Sequence, residues 1–183
     1  VETIVDMDTW AARAADQTPP PAHAVAYAYE VANDRSGASI FAAWRDTAGS
    51  MNVRPYRTGP GTDWLIPTLL DLHRSGASIF ADDGGTTRVV PEELRRHDVD
   101  VTTLTGRDAS TAWAAFKSAI TDGTLSHDGS ENLTQALEVA AERTHLDTPT
   151  LSRKHSAGPI DALMAAVVAA WFADRLRTTL QVF

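Results

Sequence analysis

The segments AVAYAYEVA and ASIFAAW, residues 24–32 and 38–44, decide the fold of this chain. Both are rich in aromatic, β-branched and small residues, and the turn-forming stretch at 33–37 joins them. A second turn leads to MNVRPYR, residues 51–57, where Pro55 favours an edge position. The pattern predicts an antiparallel meander of three strands.

The chain beyond this meander alternates helices and strands. Residues 63–74 place leucines at helical spacing, with Thr62 as the predicted N-cap. The apolar run at 77–81 predicts a buried strand that ends at the turn DDGG. A polar helix near 87–97 and a strand at 99–104 follow.

Three further helices complete the pattern. One is marked by Trp113, the next opens at Ser130, and the last starts at Pro159 and ends near Leu180. The predicted fold class is α/β, with a central mixed sheet of three antiparallel and then two parallel strands, flanked by helices.

The length and composition predict one domain with a sizeable core. The chain has 183 residues, of which 43% are hydrophobic. Residues 1–22 end in a run of three prolines that no helix crosses, so we expect a linker there and the domain at 23–183. The chain opens at Val1 without Met, and we expect a piece of a longer polypeptide.

The composition also excludes several classes of protein. The absence of cysteine excludes a disulfide scaffold and thiolate metal sites. No apolar run approaches the roughly 18 to 20 residues of a membrane span. Neither Lys117 nor Lys154 follows a glycine, which excludes a P-loop ATPase site. The net charge of −8 opposes nucleic-acid binding by overall attraction, so any phosphate contact must be local.

Three carboxylates stand in apolar surroundings. Glu30 lies in an apolar strand, Asp82 ends a buried strand, and Asp161 lies in the first turn of an apolar helix. Buried acids cost free energy unless a cation meets them, and Mg²⁺ and Mn²⁺ prefer such oxygen ligands. Each acid also has a simpler interpretation: the solvent side of the hairpin for Glu30, an Asp-Gly turn for Asp82, and the helix dipole for Asp161.

The order of five segments carries a resemblance to a known family. These segments are YAYEVANDRSGASIFAAW (27–44), GTDWLIPTLLDL (61–72), SIFADDGG (78–85), TDGTLSHDG (121–129) and GPIDALMAAVVAAWFA (158–173). Together they resemble the C-terminal nuclease domain of phage terminase large subunits, over nearly the whole chain. Trp10 ahead of the prolines also resembles the segment that joins such a nuclease to its packaging ATPase.

The resemblance implies an RNase H-like fold and a metal-dependent endonuclease that cuts concatemeric double-stranded viral DNA during packaging. By position, its acidic cluster corresponds to Glu30, Asp82 and Asp161, the same three acids. It also implies four partners: viral DNA, the portal protein, the small terminase subunit and the N-terminal ATPase domain of the same chain. The expected location is the host cytoplasm, without a membrane.

The sequence departs from the family at Glu30, where the family has Asp. The longer side chain puts the metal spacing in question, so the strand is shifted, the site is weaker, or Asp34 takes over part of the role. Neighbouring strand residues point to opposite faces, and we choose Asp82 as the ligand, with Asp83 as a water-mediated one.

The hypothesis for the reaction places two Mg²⁺ or Mn²⁺ ions about 3.5–4 Å apart across the scissile phosphate. One ion would lower the pKa of the attacking water and the other would stabilise the departing 3′ oxygen. Candidate phosphate contacts are Arg35, Arg88, Arg153 and Lys154, and each also fits a solvated surface charge. His127 is interpreted either as a loop residue or as a group that contacts the metal ligands without binding the metal itself.

Two other functions fit the same sequence. One is another RNase H-like nuclease, of the resolvase or transposase type. The other is a non-catalytic module that docks DNA or the portal, with Glu30 marking a weakened site.

Overall fold

The computed structural model of the chain describes residues 2–180, and for residues 86, 87 and 177–180 it describes the backbone alone. The elements follow in the order α1 (Met7–Ala12), β1 (Ala26–Val31), β2 (Gly37–Arg45), β3 (Met51–Pro60), α2 (Leu65–Arg74), β4 (Ser78–Asp82), α3 (Val89–Arg95), β5 (Thr102–Leu104), α4 (Gly106–Asp122), β6 (Leu125–His127), α5 (Glu131–Val139), β7 (Ala141–His145), β8 (Thr148–Ser152) and α6 (Asp161–Leu180).

The main sheet has the strand order β5-β4-β1-β2-β3-β6. Strands β1, β2 and β3 form the predicted antiparallel meander, and β4 and β5 run parallel to β1. The predicted mixed sheet is confirmed, and its order agrees with the RNase H-like expectation. Because β1 and β4 are parallel neighbours, their carboxyl ends meet at one edge of the sheet.

The two faces of the sheet carry separate hydrophobic clusters. Ala26 and Ala28 of β1 belong to the cluster shared with α4, α5 and α6, whereas Tyr27 and Tyr29 belong to the cluster shared with α2 and α3. Helix α6 is buried on all sides at residues 162–169, and its small side chains allow close packing on β1 and β2. Within residues 2–180 no helix meets the length and hydropathy of a membrane span.

The edge prediction for β3 holds only for part of the strand. Strand β6, which was predicted as part of a loop, pairs in parallel with Met51, Asn52 and Val53. This pairing ends before Pro55, whose missing N–H is tolerated there. Three residues are too few to show a strand period, which is why β6 was missed.

Strands β7 and β8 form a separate two-stranded sheet that the sequence did not predict. Their side chains are exposed near the tip and buried at the end of β8, without alternation along either strand, and both tip residues, Leu146 and Asp147, have positive φ. Glu142 holds the hairpin to α4, because its carboxylate accepts bonds from Trp113 Nε1 and Lys117 Nζ.

Two predicted helix starts are wrong. Helix α2 begins at Leu65, and its N-cap is Trp64 instead of the predicted Thr62. Thr62 accepts the Leu65 N–H through its backbone carbonyl and not through its side chain. Helix α6 begins at Asp161 instead of Pro159. The predicted start of α5 after Ser130 is confirmed.

The N-terminal segment, predicted as a linker at 1–22, packs on the domain through α1. Trp10 is 1% exposed, and its Nε1 donates to Thr134 Oγ1 on α5. Arg13 Nε donates to the carbonyl of Ile120 at the end of α4. At least this part of the segment belongs to the folded unit, and its connection to a preceding ATPase domain stays a prediction.

His127 is not a loop residue, as the sequence suggested, but the buried last residue of β6. Its ring stacks on Trp10 with the centroids 3.8 Å apart. The Gly129 N–H donates to Nδ1, so the proton of the neutral ring is on Nε2 and faces the Trp10 carbonyl. Burial holds the pKa of His127 below its ordinary value, although the Trp10 carbonyl and Asp128 oppose the shift.

We expect Trp10→Ala to lower the free energy of unfolding by about 3–5 kcal/mol, because it removes a buried ring that links α1, α5 and β6. Urea unfolding followed by circular dichroism measures the change. The control Val89→Ala, at a site 56% exposed, should stay within about 0.5 kcal/mol. Equal small losses would mean that α1 contributes nothing to the folded unit.

Acid should destabilise the domain through His127. The unfolded chain takes up a proton near pH 6.5 and the folded chain only at lower pH, so stability falls as pH drops below about 6.5. The free energy of unfolding from urea titrations between pH 7 and 5 should fall more steeply for the parent than for His127→Gln, by at most about 1.4 kcal/mol per pH unit. Parallel pH profiles for the two proteins would contradict this assignment.

Candidate functional site

The three carboxylates predicted as ligands lie on one face of the sheet. Glu30 follows Ala26 and Ala28 at spacing two in β1, and Asp82 follows Phe80 in β4, so both project to the α6 side. Asp161 is the first residue of α6, which packs on that face. The parallel strands and the helix start therefore bring the three acids to one end of the sheet.

Ser39 connects the helix to the sheet at this end. It pairs directly with Glu30 across β1 and β2, so the two side chains share a face. Its hydroxyl donates to Asp161 Oδ2 at 2.6 Å. Glu30 and Asp161 consequently line the same cavity of about 250 Å³, together with Asp34 and Arg153.

The guanidinium of Arg153 lies between Glu30 and Asp82. Its Nε donates to Glu30 Oε1 and its second terminal nitrogen donates to Asp82 Oδ2, each at 2.9 Å. The side chains of Glu30, Asp82 and Arg153 are 1%, 8% and 22% exposed. Two nearly buried anions thus share one cation, which is the compensation that their burial requires.

This position of Arg153 corrects its interpretation as a solvated surface charge, and its contact with a DNA phosphate stays a prediction. Burial disfavours its positive charge, but Glu30 and then Asp82 outweigh burial and hold the pKa of Arg153 above its ordinary value. The group is a permanent cation in the site. The sequence does not predict β8, the strand that ends just before Arg153, and so gave no signal of this contact.

The turn DDGG shapes the site around Asp82. The Gly84 N–H donates to Asp82 Oδ2, and a Cβ at Gly84 would lie 3.1 Å from that oxygen. Gly85 has φ +66°, and a Cβ there would lie 3.5 Å from Arg153 Nε. Glycine at both positions lets the backbone orient the carboxylate and approach the guanidinium.

The two secondary acids lie at the margins of the site. Asp34, in the turn between β1 and β2, is exposed and accepts the Ser36 N–H, and hydrogen bonds from Ser36 lower the pKa of Asp34. Asp83 is exposed and lines a second cavity of about 310 Å³ with Asp82 and Arg153. Neither bonds to the Arg153 guanidinium in the contacts described here.

The predicted cationic contacts are only partly gathered here. Arg88 is exposed, and its Nε donates to the Asp83 carbonyl, while Lys154 is exposed beside Arg153. Arg35, at φ 61°, lines a different cavity with Asp63 and Glu93. Two basic residues that the sequence reasoning missed, Arg143 and His145, come from β7 and line the second cavity.

The donor chemistry of the site fits a divalent ion. Glu30, Asp82 and Asp161 supply hard carboxylate oxygens and three formal negative charges, against the single positive charge of Arg153. Among the residues described, however, no three acidic or histidine side chains are grouped closely enough to hold an ion as they stand. In this structure the guanidinium of Arg153 lies between Glu30 and Asp82.

Comparison with known proteins gives matches among solved structures. No family model and no curated protein matches this chain. The large terminase of bacteriophage HK97 superposes with a TM-score of 0.70 at 13% identity, over 92% of this chain and 43% of that one. The large terminase nuclease of thermophilic phage G20c with bound magnesium gives 0.61 at 13% identity, over 80% of each chain.

A third structure points the same way. The large terminase nuclease domain of Thermus phage P74-26 gives a TM-score of 0.57 at 13% identity, over 79% of this chain and 77% of that one. The present chain spans less than half of the HK97 protein and most of the isolated nuclease domains. Its described residues therefore have the fold of the nuclease domain of phage large terminases.

Proposed function

We propose that this chain is the nuclease domain of a terminase large subunit, a divalent-metal-dependent endonuclease that hydrolyses double-stranded viral DNA during packaging. One observation carries the proposal: acids from β1, β4 and α6 lie at the same end of the sheet, and two of them are buried deeply enough to need a cation. The magnesium bound by the G20c nuclease, which has the same fold, supports it.

Glu30, Asp82 and Asp161 are the residues proposed to hold two Mg²⁺ or Mn²⁺ ions. If bound there, such ions would supply an activated water and would stabilise the departing 3′ oxygen. The chain itself orients the donors, because Ser39 fixes an oxygen of Asp161 and the Gly84 N–H fixes an oxygen of Asp82. Asp34 and Asp83 are proposed as outer groups that bind through water.

DNA binding is proposed to rest on local cations, because the net charge of −8 repels the backbone overall. Arg88 and Lys154 are exposed near the acids, and Arg143 and His145 line the cavity beside Asp82. Arg35 is exposed in the turn between β1 and β2, and we propose that it contacts a DNA phosphate at the margin of the site. Cations of this kind would contact phosphates, so we propose cleavage with little base preference.

The proposed partners follow from packaging. They are the viral DNA, the portal protein, the small terminase subunit and an ATPase domain of the same chain, all in the host cytoplasm. The chain spans only 43% of the HK97 terminase, a protein long enough to hold a second domain.

A non-catalytic docking module is the second candidate, and Arg153 is the observation that favours it. The guanidinium lies between Glu30 and Asp82 and offsets one of their two negative charges without a metal. A docking module would bind DNA equally with and without divalent ions and would not cut it.

We expect the domain to nick supercoiled plasmid with Mg²⁺ or Mn²⁺ and to be inactive in EDTA. Asp82→Asn and Asp161→Asn each remove a donor charge at constant shape, so nicking rates should fall to about one hundredth or less, since even outer partners of metal ligands are worth about 10- to 100-fold. Gel quantification of nicked plasmid gives the rates.

The matched control for this experiment is Asp100→Asn, an exposed carboxylate in the loop before β5. It should keep the parent rate. Cutting in EDTA, or full activity of both site variants, would rule out the proposed nuclease site.

Glu30→Asp tests whether the site accepts the family's residue. We expect nicking equal to or above the parent rate, because the shorter carboxylate matches the family site and weakens the contact with Arg153 Nε. Initial rates across a Mn²⁺ titration measure the effect. A large loss would mean that the site is built around the longer side chain.

A further inference from the structure

The guanidinium of Arg153 stands where a cation between Glu30 and Asp82 would stand. It meets one oxygen of each carboxylate through two different nitrogens. Such a two-armed contact suits the planar fork of arginine, and the point charge of a lysine cannot reproduce it. The side chain is therefore specific to this pair of acids.

We propose that Arg153 is the internal counter-ion of the metal-free site and that it must leave Glu30 and Asp82 before a divalent ion binds between them. The inference rests on the proposed function and adds a residue that regulates metal binding at the same site. Arg153 stabilises the protein without metal and competes with the metal for the same oxygens.

The competition follows from the charges and their burial. Glu30 and Asp82 have exposures of 1% and 8%, so their mutual repulsion is poorly screened by water. Arg153 relieves that repulsion in the absence of metal. A guanidinium and a divalent ion cannot both occupy the space between the two carboxylates without facing each other as like charges.

The surroundings give Arg153 room to move. Its side chain is 22% exposed and lines both the cavity of about 250 Å³ and the cavity of about 310 Å³. Its residue lies in the connection between β8 and α6, outside either element. Gly85 borders the guanidinium without a side chain. The arm can thus withdraw without repacking the core.

The consequence is a lower apparent affinity for metal. Only molecules in which Arg153 has withdrawn bind the ion, so the apparent dissociation constant rises by the inverse of their fraction. The displaced guanidinium then needs another anion, and a DNA phosphate at the same site would supply one. Arg153 would in this way link loading of the site to the presence of DNA.

Calorimetric titration of Mg²⁺ into the metal-free protein tests the competition. Arg153→Gln should bind Mg²⁺ about tenfold tighter or more than the parent and should melt at a lower temperature in EDTA. Arg96→Gln removes the same charge from an exposed residue after α3, on the other face of the sheet, and should change neither value. Equal Mg²⁺ affinity of the parent and Arg153→Gln would overturn the proposal.

A measurement on the unaltered protein keeps the proposal testable if Arg153→Gln does not fold. The Arg153 Nε–H signal in ¹⁵N-resolved NMR is assigned by its loss in Arg153→Lys. It should exchange slowly with water in EDTA, and exchange faster and shift when Mg²⁺ saturates the site. An unchanged signal at saturating Mg²⁺ would overturn the proposal.

The two levels of inference fail differently. If the parent binds Mg²⁺ and nicks DNA while Arg153 stays in place, only the counter-ion role fails. If neither the parent nor Arg153→Gln binds Mg²⁺ or nicks DNA, the proposed function fails.

Discussion

The buried pair of Glu30 and Asp82 is the constraint on which this end of the molecule depends. The sheet fixes both carboxylates, because β1 and β4 are parallel neighbours and both side chains point to the α6 face. Water is nearly excluded from them, so the ionised carboxylates need a cation beside them. Arg153 provides that cation from 123 and 71 residues away along the chain.

Helix α6 and the hairpin of β7 and β8 bring two further charged groups, Asp161 and Arg153, to this end of the molecule. Helix α6 packs along β1 and β2 through small side chains, and this packing holds Asp161 next to Ser39. The hairpin is held to α4 through Glu142 and leads directly into Arg153. Packing contacts that do not involve the charges of Asp161 or Arg153 thus position both side chains.

The opposite edge of the sheet is stabilised by a different contact. Trp10 stacks on His127 of β6 and bonds to α5, so the segment before the prolines becomes part of the core. The short strand β6 in turn covers the first half of β3. Helix α1 ends at Ala12, well before the prolines at 19–21, and these prolines do not separate the segment from the domain.

The sequence by itself determined the meander, the buried strand before DDGG, the apolar last helix and the three acids, because periods of 2 and 3.6 and misplaced charges are written in consecutive residues. Only the tertiary structure decided the pairing of β6, the β7 and β8 hairpin, the burial of His127 and the place of Arg153. Strands of three residues carry no period, and a contact across 123 residues leaves no local pattern. The sequence predicts Arg153 as a surface charge, because only the fold brings the distant acids Glu30 and Asp82 next to it.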